Sequence, residues 1–246
     1  MKAAPIEISW HPDLSIYASE QYLKAVGDEY GWLGGTDDAG DLRFLLPYTI
    51  IRKAVVRMIR FRVETIPLGG ELDIEEEKSF LDSAVAYFRS IGADIIIPAT
   101  TNAIFRTYPR GAIAVPYGTF LIDLDQPEET LWENVHSKHR NVIRNATKKG
   151  VQILRGVEHA EKAYTLVRDT FGRSKLPFMG VEAFRRMVSG LGPFVEVFIA
   201  EYQGAVQGCA VIPFSNHSAY YVYGGTVAEP LTGATGVLLY EIYKAR

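Results

Sequence analysis

Two arginines one helical turn apart, Arg140 and Arg144, stand with Lys138 in the stretch SKHRNVIRNATKKG at 137–150. Guanidinium groups at that spacing suit forked hydrogen bonds to phosphate or carboxylate oxygens, so the chemistry on offer is the holding of an anion. A solvated helix face explains the same charges, but no opposite charges at i+4 lace it together. Arg173 and Lys175 fall in a predicted loop between helices, a place suited to binding, although surface charge accounts for them equally well. Tyr221 and Tyr223 in AYYVYGG alternate to one face of a predicted strand, with Tyr220 on the other. Core packing with hydroxyls at the rim competes there with a role against a ligand. A further basic set, Arg52, Lys53, Arg57, Arg60 and Arg62, reads either as a sheet edge kept soluble by charge or as part of an anion site.

Other chemistries find no support. The five histidines show no zinc-ligand spacing, Cys209 sits mid-strand as a buried inert thiol, and Walker-type and Ser-x-x-Lys motifs are absent.

These residues need elements to position them. At about 100° per residue, Leu131, Trp132, Val135, Val142, Ile143 and Ala146 share one face of a long helix running from Asp125 and Pro127 to Lys149, with Gly150 as its stop. Arg140 and Arg144 fall on the opposite face. Upstream, WLGGTDDAGDLRFLLPYTII (32–51) reads as strand, turn, strand; KAVVRMIRF (53–61) continues the sheet and IPLGG (66–70) closes it. A helix over 74–91 carries Glu75, Glu76 and Glu77 in its first turn and buries Phe80, Leu81, Val85 and Phe88. DIIIP (94–98) reads as a buried strand and GTFLIDL (118–124) as another. Downstream come a strand at 151–154, helices over 158–171 and 180–190, strands over 195–214 turning at Gln203-Gly204, a strand at 218–227, and a helix from about Gly233.

Composition sets the outer bounds. The chain of 246 residues is 48 % hydrophobic and 22 % charged, which suits a globular protein with sizeable cores. A charge of −3 argues against bulk, sequence-independent nucleic-acid binding. One cysteine forms no internal disulfide, so a reducing cytoplasm is the expected home. No leader and no transmembrane run is visible, and any membrane contact is expected at the surface. The final helix carries no stop signal, so a fragment of a longer protein is expected.

Several segments, in order, resemble one family. IDLDQPEETLWENVHSKHRNVIRNATKKGVQI is similar to the junction of the Fem-type aminoacyltransferases and their GNAT-fold relatives, where a strand ending in Asp-Leu leads to a helix with Lys-x-Arg-x-x-Ile-Arg and then Lys-x-Gly-Val. FGRSKLPFMGVEAF, VFIAEYQGAVQGCAVIPF, AYYVYGGT and GATGVLLYEIYKA resemble the segments that follow. The resemblance implies an α+β fold of two tandem GNAT-like domains, 1–125 and 126–246, the second incomplete. It implies an acyltransferase moving an aminoacyl group onto an amine of a phosphorylated sugar-peptide or glycan precursor. The donor would be aminoacyl-tRNA or acyl-CoA, with no resident cofactor. The alternatives are a CoA-dependent N-acetyltransferase acting on a small amine or amino-sugar and a non-catalytic precursor-binding protein. The coiled-coil arm of some Fem members is absent, which weakens a role for charged tRNA.

By the same resemblance, Lys138, Arg140, Arg144 and Arg173 would hold acceptor phosphates, and Tyr221 and Tyr223 would border the acceptor groove. EPLTGATG (229–236) stands where CoA-using members carry Arg/Gln-x-x-Gly-x-Gly/Ala, which would make Gly233 and Gly236 cofactor-binding. The pattern is broken, since Pro230 and Thr235 occupy two of its places, and a tight turn with close packing explains both glycines as well. No catalytic base is named by any motif.

Overall fold

The computed structural model describes residues 1–69, 72–99, 103–116 and 118–245. Gly70, the expected end of the first sheet, and Arg246, in the last helix, lie outside the described residues. Contacts divide the chain into two compact units, residues 1–120 with 215–217 and residues 121–214 with 218–246.

The first unit is a mixed sheet. Strands β1 (Lys2–Ile6), β2 (Glu29–Thr36), β3 (Leu42–Lys53) and β4 (Val56–Phe61) pair antiparallel in sequence order. Helix α1 (Glu20–Val26) precedes β2, and the short β5 (Ile66–Pro67) pairs with β3. Helix α2 (Ile74–Ser90) starts on Asp73, whose carboxylate accepts the amides of Glu75 and Glu76, and crosses to β6 (Ile95–Ile97), parallel to β4. Strand β3 is buried on both faces from Phe44 to Ile50, and its alternate residues and the i, i+4 spacing of α2 meet in one core of Leu33, Phe44, Leu46, Ile59, Phe80, Leu81, Ala84 and Phe88. Gly35 makes this possible, because a Cβ there would lie 2.5 Å from the Phe80 ring.

Three expectations change here. Strand β6 is an edge strand, so its first residue, Ile95, keeps 43 % of its surface in solvent. Glu77 does not merely favour the helix dipole: it is wholly buried and held by Arg106 at 2.8 and 2.9 Å. Arg62 is not a solubilising edge charge. It follows β4, which lies inside the sheet, and turns inward to donate to Thr49 Oγ1 and the Val26 carbonyl.

The second unit holds helices α3 (Glu128–Asn134) and α4 (Ser137–Lys148), strand β7 (Gln152–Arg155), helices α5 (Ala160–Arg173) and α6 (Val181–Leu191), strands β8 (Val195–Tyr202), β9 (Ala205–Pro213) and β10 (Tyr223–Thr226), and helix α7 (Ala234–Lys244). The sheet runs β10-β9-β8-β7, all antiparallel. Ile143 and Ala146 of α4 and Val237, Leu238 and Ile242 of α7 pack on Phe198, Ala200, Ala210 and Ile212. On the other face, Gly225 lets β10 touch α5: a Cβ there would lie 2.6 Å from the Leu166 carbonyl carbon.

The expected helix over 125–149 is two helices. Val135 and His136 are extended, His136 Nδ1 accepts the Lys138 amide, and the Arg140 guanidinium binds the carbonyls of Glu133 and Val135. The expected strand at 118–124 does not form. Phe120 and Leu121 are 99 % and 89 % exposed, and no strand of either sheet pairs with them among the described residues. The last strand is shorter than expected, beginning at Tyr223 rather than 218, although the Phe214–Ala219 bridge and the Tyr220 and Val222 amides, donated to the Pro213 and Val211 carbonyls, tie the preceding residues to β9. Among the described residues, no helix is long and apolar enough to cross a membrane.

Candidate functional site

Within the second unit, the break between α3 and α4 opens a cavity of about 560 Å³. Leu131, Val135, Ile143 and Leu239 supply its apolar walls, and Asp123, Asn134, His139, Tyr240 and Tyr243 bring polar atoms to it. An apolar concavity with a few convergent polar groups is the usual form of a small-molecule site. His139 reaches it because it lies one turn before Ile143 on the same stripe of α4. Tyr240 and Tyr243 are three apart on α7 and so share its facing side.

The phenols are held neutral. Burial, aided by the Glu128 carboxylate that accepts from the Tyr240 hydroxyl at 3.2 Å, pushes Tyr240 up to about 12. Burial alone raises Tyr243. Tyr240 gives its single hydroxyl proton to Glu128, which leaves the Tyr243 hydroxyl as the phenolic donor among the lining residues. Tyr240 is fixed in place by an edge-to-face contact with Trp132, ring centroids 4.7 Å apart.

Of the binding residues singled out from sequence, Gly236 lines this cavity and the others do not. Arg140 spends donors on the C-terminal carbonyls of α3, at 2.6 and 2.7 Å. Arg144 lies 5.2 Å from the Trp132 ring centroid. That contact corrects the helical wheel, which put Trp132 opposite the arginines; the wheel fails because α3 and α4 are not one helix. Lys138 is exposed on the first turn of α4.

Arg173 is the last residue of α5 rather than a loop residue, and it donates to the Thr226 carbonyl at 2.6 Å. Tyr221 and Tyr223 do not share a face, since Tyr221 precedes the strand and strand alternation does not reach it. The Tyr221 hydroxyl lies over Gly224, 1.8 Å from where a Cβ would stand. Tyr223 instead joins Phe178 and Phe184, edge-to-face with Phe178 at 5.2 Å.

Gly233 adopts a left-handed conformation, φ +94°, just before α7, and a Cβ there would lie 2.7 Å from the Val142 carbonyl oxygen. A Cβ on Gly236 would come 3.0 Å from Ile143. Both glycines thus serve the close approach of α4 to α7, and Gly236 also lines the cavity.

His139, Tyr240, Tyr243, Asp123 and Asn134 went unnoticed in the sequence. The available signal was the tyrosine pair at i, i+3 and a histidine at the seam of an amphipathic helix.

No protein-family model matches the chain, and no curated protein matches it in sequence. Among solved structures, FemX superposes over 100 % of this chain and 85 % of its own, with a TM-score of 0.63 and 12 % identity. The chain has a FemX-like fold. Looser likenesses include a putative lysylphosphatidylglycerol synthetase C-terminal domain from Agrobacterium fabrum (TM-score 0.48, 12 % identity, 93 % of this chain and 73 % of that one). Another is L-PGS from Bacillus licheniformis (TM-score 0.46, 11 % identity, 91 % and 66 %).

Proposed function

We propose that this protein is an acyltransferase that places an acyl group, aminoacyl by preference, on an amine of a cell-wall or glycan precursor, with each unit a GNAT-like module. The superposition on FemX along the whole chain is the observation that carries this reading. The cavity of the second unit supports it: apolar walls suit an acyl group, and the neutral Tyr243 phenol, unlike Tyr240, whose proton goes to Glu128, is a donor for a carbonyl oxygen that gathers charge as the amine attacks. Such a transfer needs a deprotonated amine aligned on an activated ester, and alignment alone supplies much of the acceleration.

In this reading Lys138 and Arg144, with the donors of Arg140 that the α3 carbonyls leave over, hold the anionic part of the precursor. Aminoacyl-tRNA is favoured over acyl-CoA as donor, because Gly233 and Gly236 are engaged in packing α4 against α7.

Purified protein incubated with aminoacyl-tRNA and a nucleotide-linked muropeptide should yield an acylated muropeptide by mass spectrometry, and Tyr243→Phe should lower the rate about tenfold or more. Transfer from acetyl-CoA alone would overturn the aminoacyl reading. Muropeptide binding without turnover from either donor would overturn acyl transfer itself.

A further inference from the structure

A second cavity, of about 730 Å³, lies in the first unit. It opens where β1 and β2 part company. Their last paired residues are Ile6 and Trp32, beyond which residues 7–10 run without regular structure while β2 continues back to Glu29. Glu7, Trp10, Glu20, Tyr30, Trp32 and Tyr48 line the gap. Gly31 keeps it open, because a side chain there would strike the Tyr48 hydroxyl, 2.7 Å from the Cβ position.

What these groups present is specific. Both indole N–H groups are donated to backbone carbonyls, Trp10 to Ser15 at 3.0 Å and Trp32 to Ala18 at 2.7 Å. The indoles therefore offer the gap carbon and π density rather than these donors. Tyr30 and Trp32 stand perpendicular, centroids 5.7 Å apart, like two walls of a corner. Two carboxylates join them, and no lysine or arginine is among the lining residues. π faces beside a carboxylate favour a cation over an anion.

The protein already illustrates that preference nearby. The Lys24 ammonium lies 3.1 Å from Glu20 and 5.8 Å from the Tyr30 ring centroid, so one carboxylate and one ring are matched to an internal ammonium. Glu20 also accepts from the Tyr30 hydroxyl at 2.6 Å. Glu7 has no hydrogen-bond or ion-pair partner among the described residues.

We infer that this gap is a binding site for a primary ammonium group on an aliphatic chain, with Glu7 as its counter-ion and the Trp10, Tyr30 and Trp32 rings around its stem. The gap shares no lining residue with the cavity of the second unit.

The test is titration of the intact protein with 1,5-diaminopentane, 1,5-pentanediol and glutarate at low salt, following the indole N–H resonances by NMR. Trp132, outside this cavity, is the internal control. The diamine should shift Trp10 and Trp32 and leave Trp132 still, with the diol and glutarate inert. Glu7→Gln should weaken diamine binding about fivefold or more, and Tyr30→Leu about threefold. Glu7 is exposed, so its replacement leaves the fold intact. Equal shifts from the diol, unchanged affinity in Glu7→Gln, or no shift at tens of millimolar diamine would each overturn the site.

Discussion

Replacing Gly233 by alanine isolates the contact on which the α4–α7 seam depends. Two costs add. The left-handed backbone, φ +94°, penalises any residue with a Cβ by roughly 1–2 kcal/mol. The new Cβ would also stand 2.7 Å from the Val142 carbonyl oxygen and 2.9 Å from the Ala146 Cβ, overpacking worth about 1–3 kcal/mol. The sum is roughly 2–5 kcal/mol, a large part of a domain's usual margin of about 5–15 kcal/mol. Gly150→Ala supplies the control: its φ is +96°, yet nothing lies within 4 Å of its Cβ position. That variant should lose only the backbone part, roughly 1–2 kcal/mol. Urea unfolding followed by far-UV circular dichroism gives both values, and amide exchange along α7 shows where the loss falls. Equal losses in the two variants would refute the claim that Gly233 is reserved for helix contact.

Three further outcomes follow from contacts described above. Arg140→Gln should destabilise by about 0.5–1.5 kcal/mol for each hydrogen bond lost to the Glu133 and Val135 carbonyls, whereas Arg144→Gln should cost about 0.5–1 kcal/mol, read from urea midpoints. Arg106→Met should cost about 3 kcal/mol or more, since it leaves the buried Glu77 carboxylate without its cation, and Glu77→Gln with Arg106→Met should recover part of that loss in the same assay. Burial raises the Glu64 carboxyl above its ordinary range, against the pull of its own backbone amide and Arg106. The folded protein then holds that proton more tightly than the unfolded chain does. Stability from this group is highest below the ordinary carboxylate value and declines as pH rises through the elevated one, and Glu64→Gln should flatten that part of the stability–pH curve.

Elements with strong local signals were legible in the sequence. Helix α2 shows a first-turn acidic run, a four-residue apolar repeat and a glycine after its end, and it forms over Ile74–Ser90. The Gln203-Gly204 turn likewise places β8 and β9. What failed were features decided by distant partners. The break at Val135 is held by an arginine five residues on, which a helical wheel does not register. The 118–124 segment has a strand's apolar and β-branched residues but no neighbouring strand among the described residues, and composition alone cannot supply one. The candidate site shared that fate. Arginines stand out as charge, but three of the four cations proposed as ligands' partners have contacts inside the fold. The cavity is lined by tyrosines, a histidine and leucines whose convergence only the α3–α4 break creates.

The exposed stretch around Phe120 carries a thermodynamic consequence. Burying a phenylalanine or leucine side chain is worth about 1.5–3 kcal/mol each, and here both stand almost wholly in water. That driving force is left uncollected in the isolated chain. Any apolar surface that covers Phe120 and Leu121 begins with several kcal/mol in its favour, before a single hydrogen bond is counted.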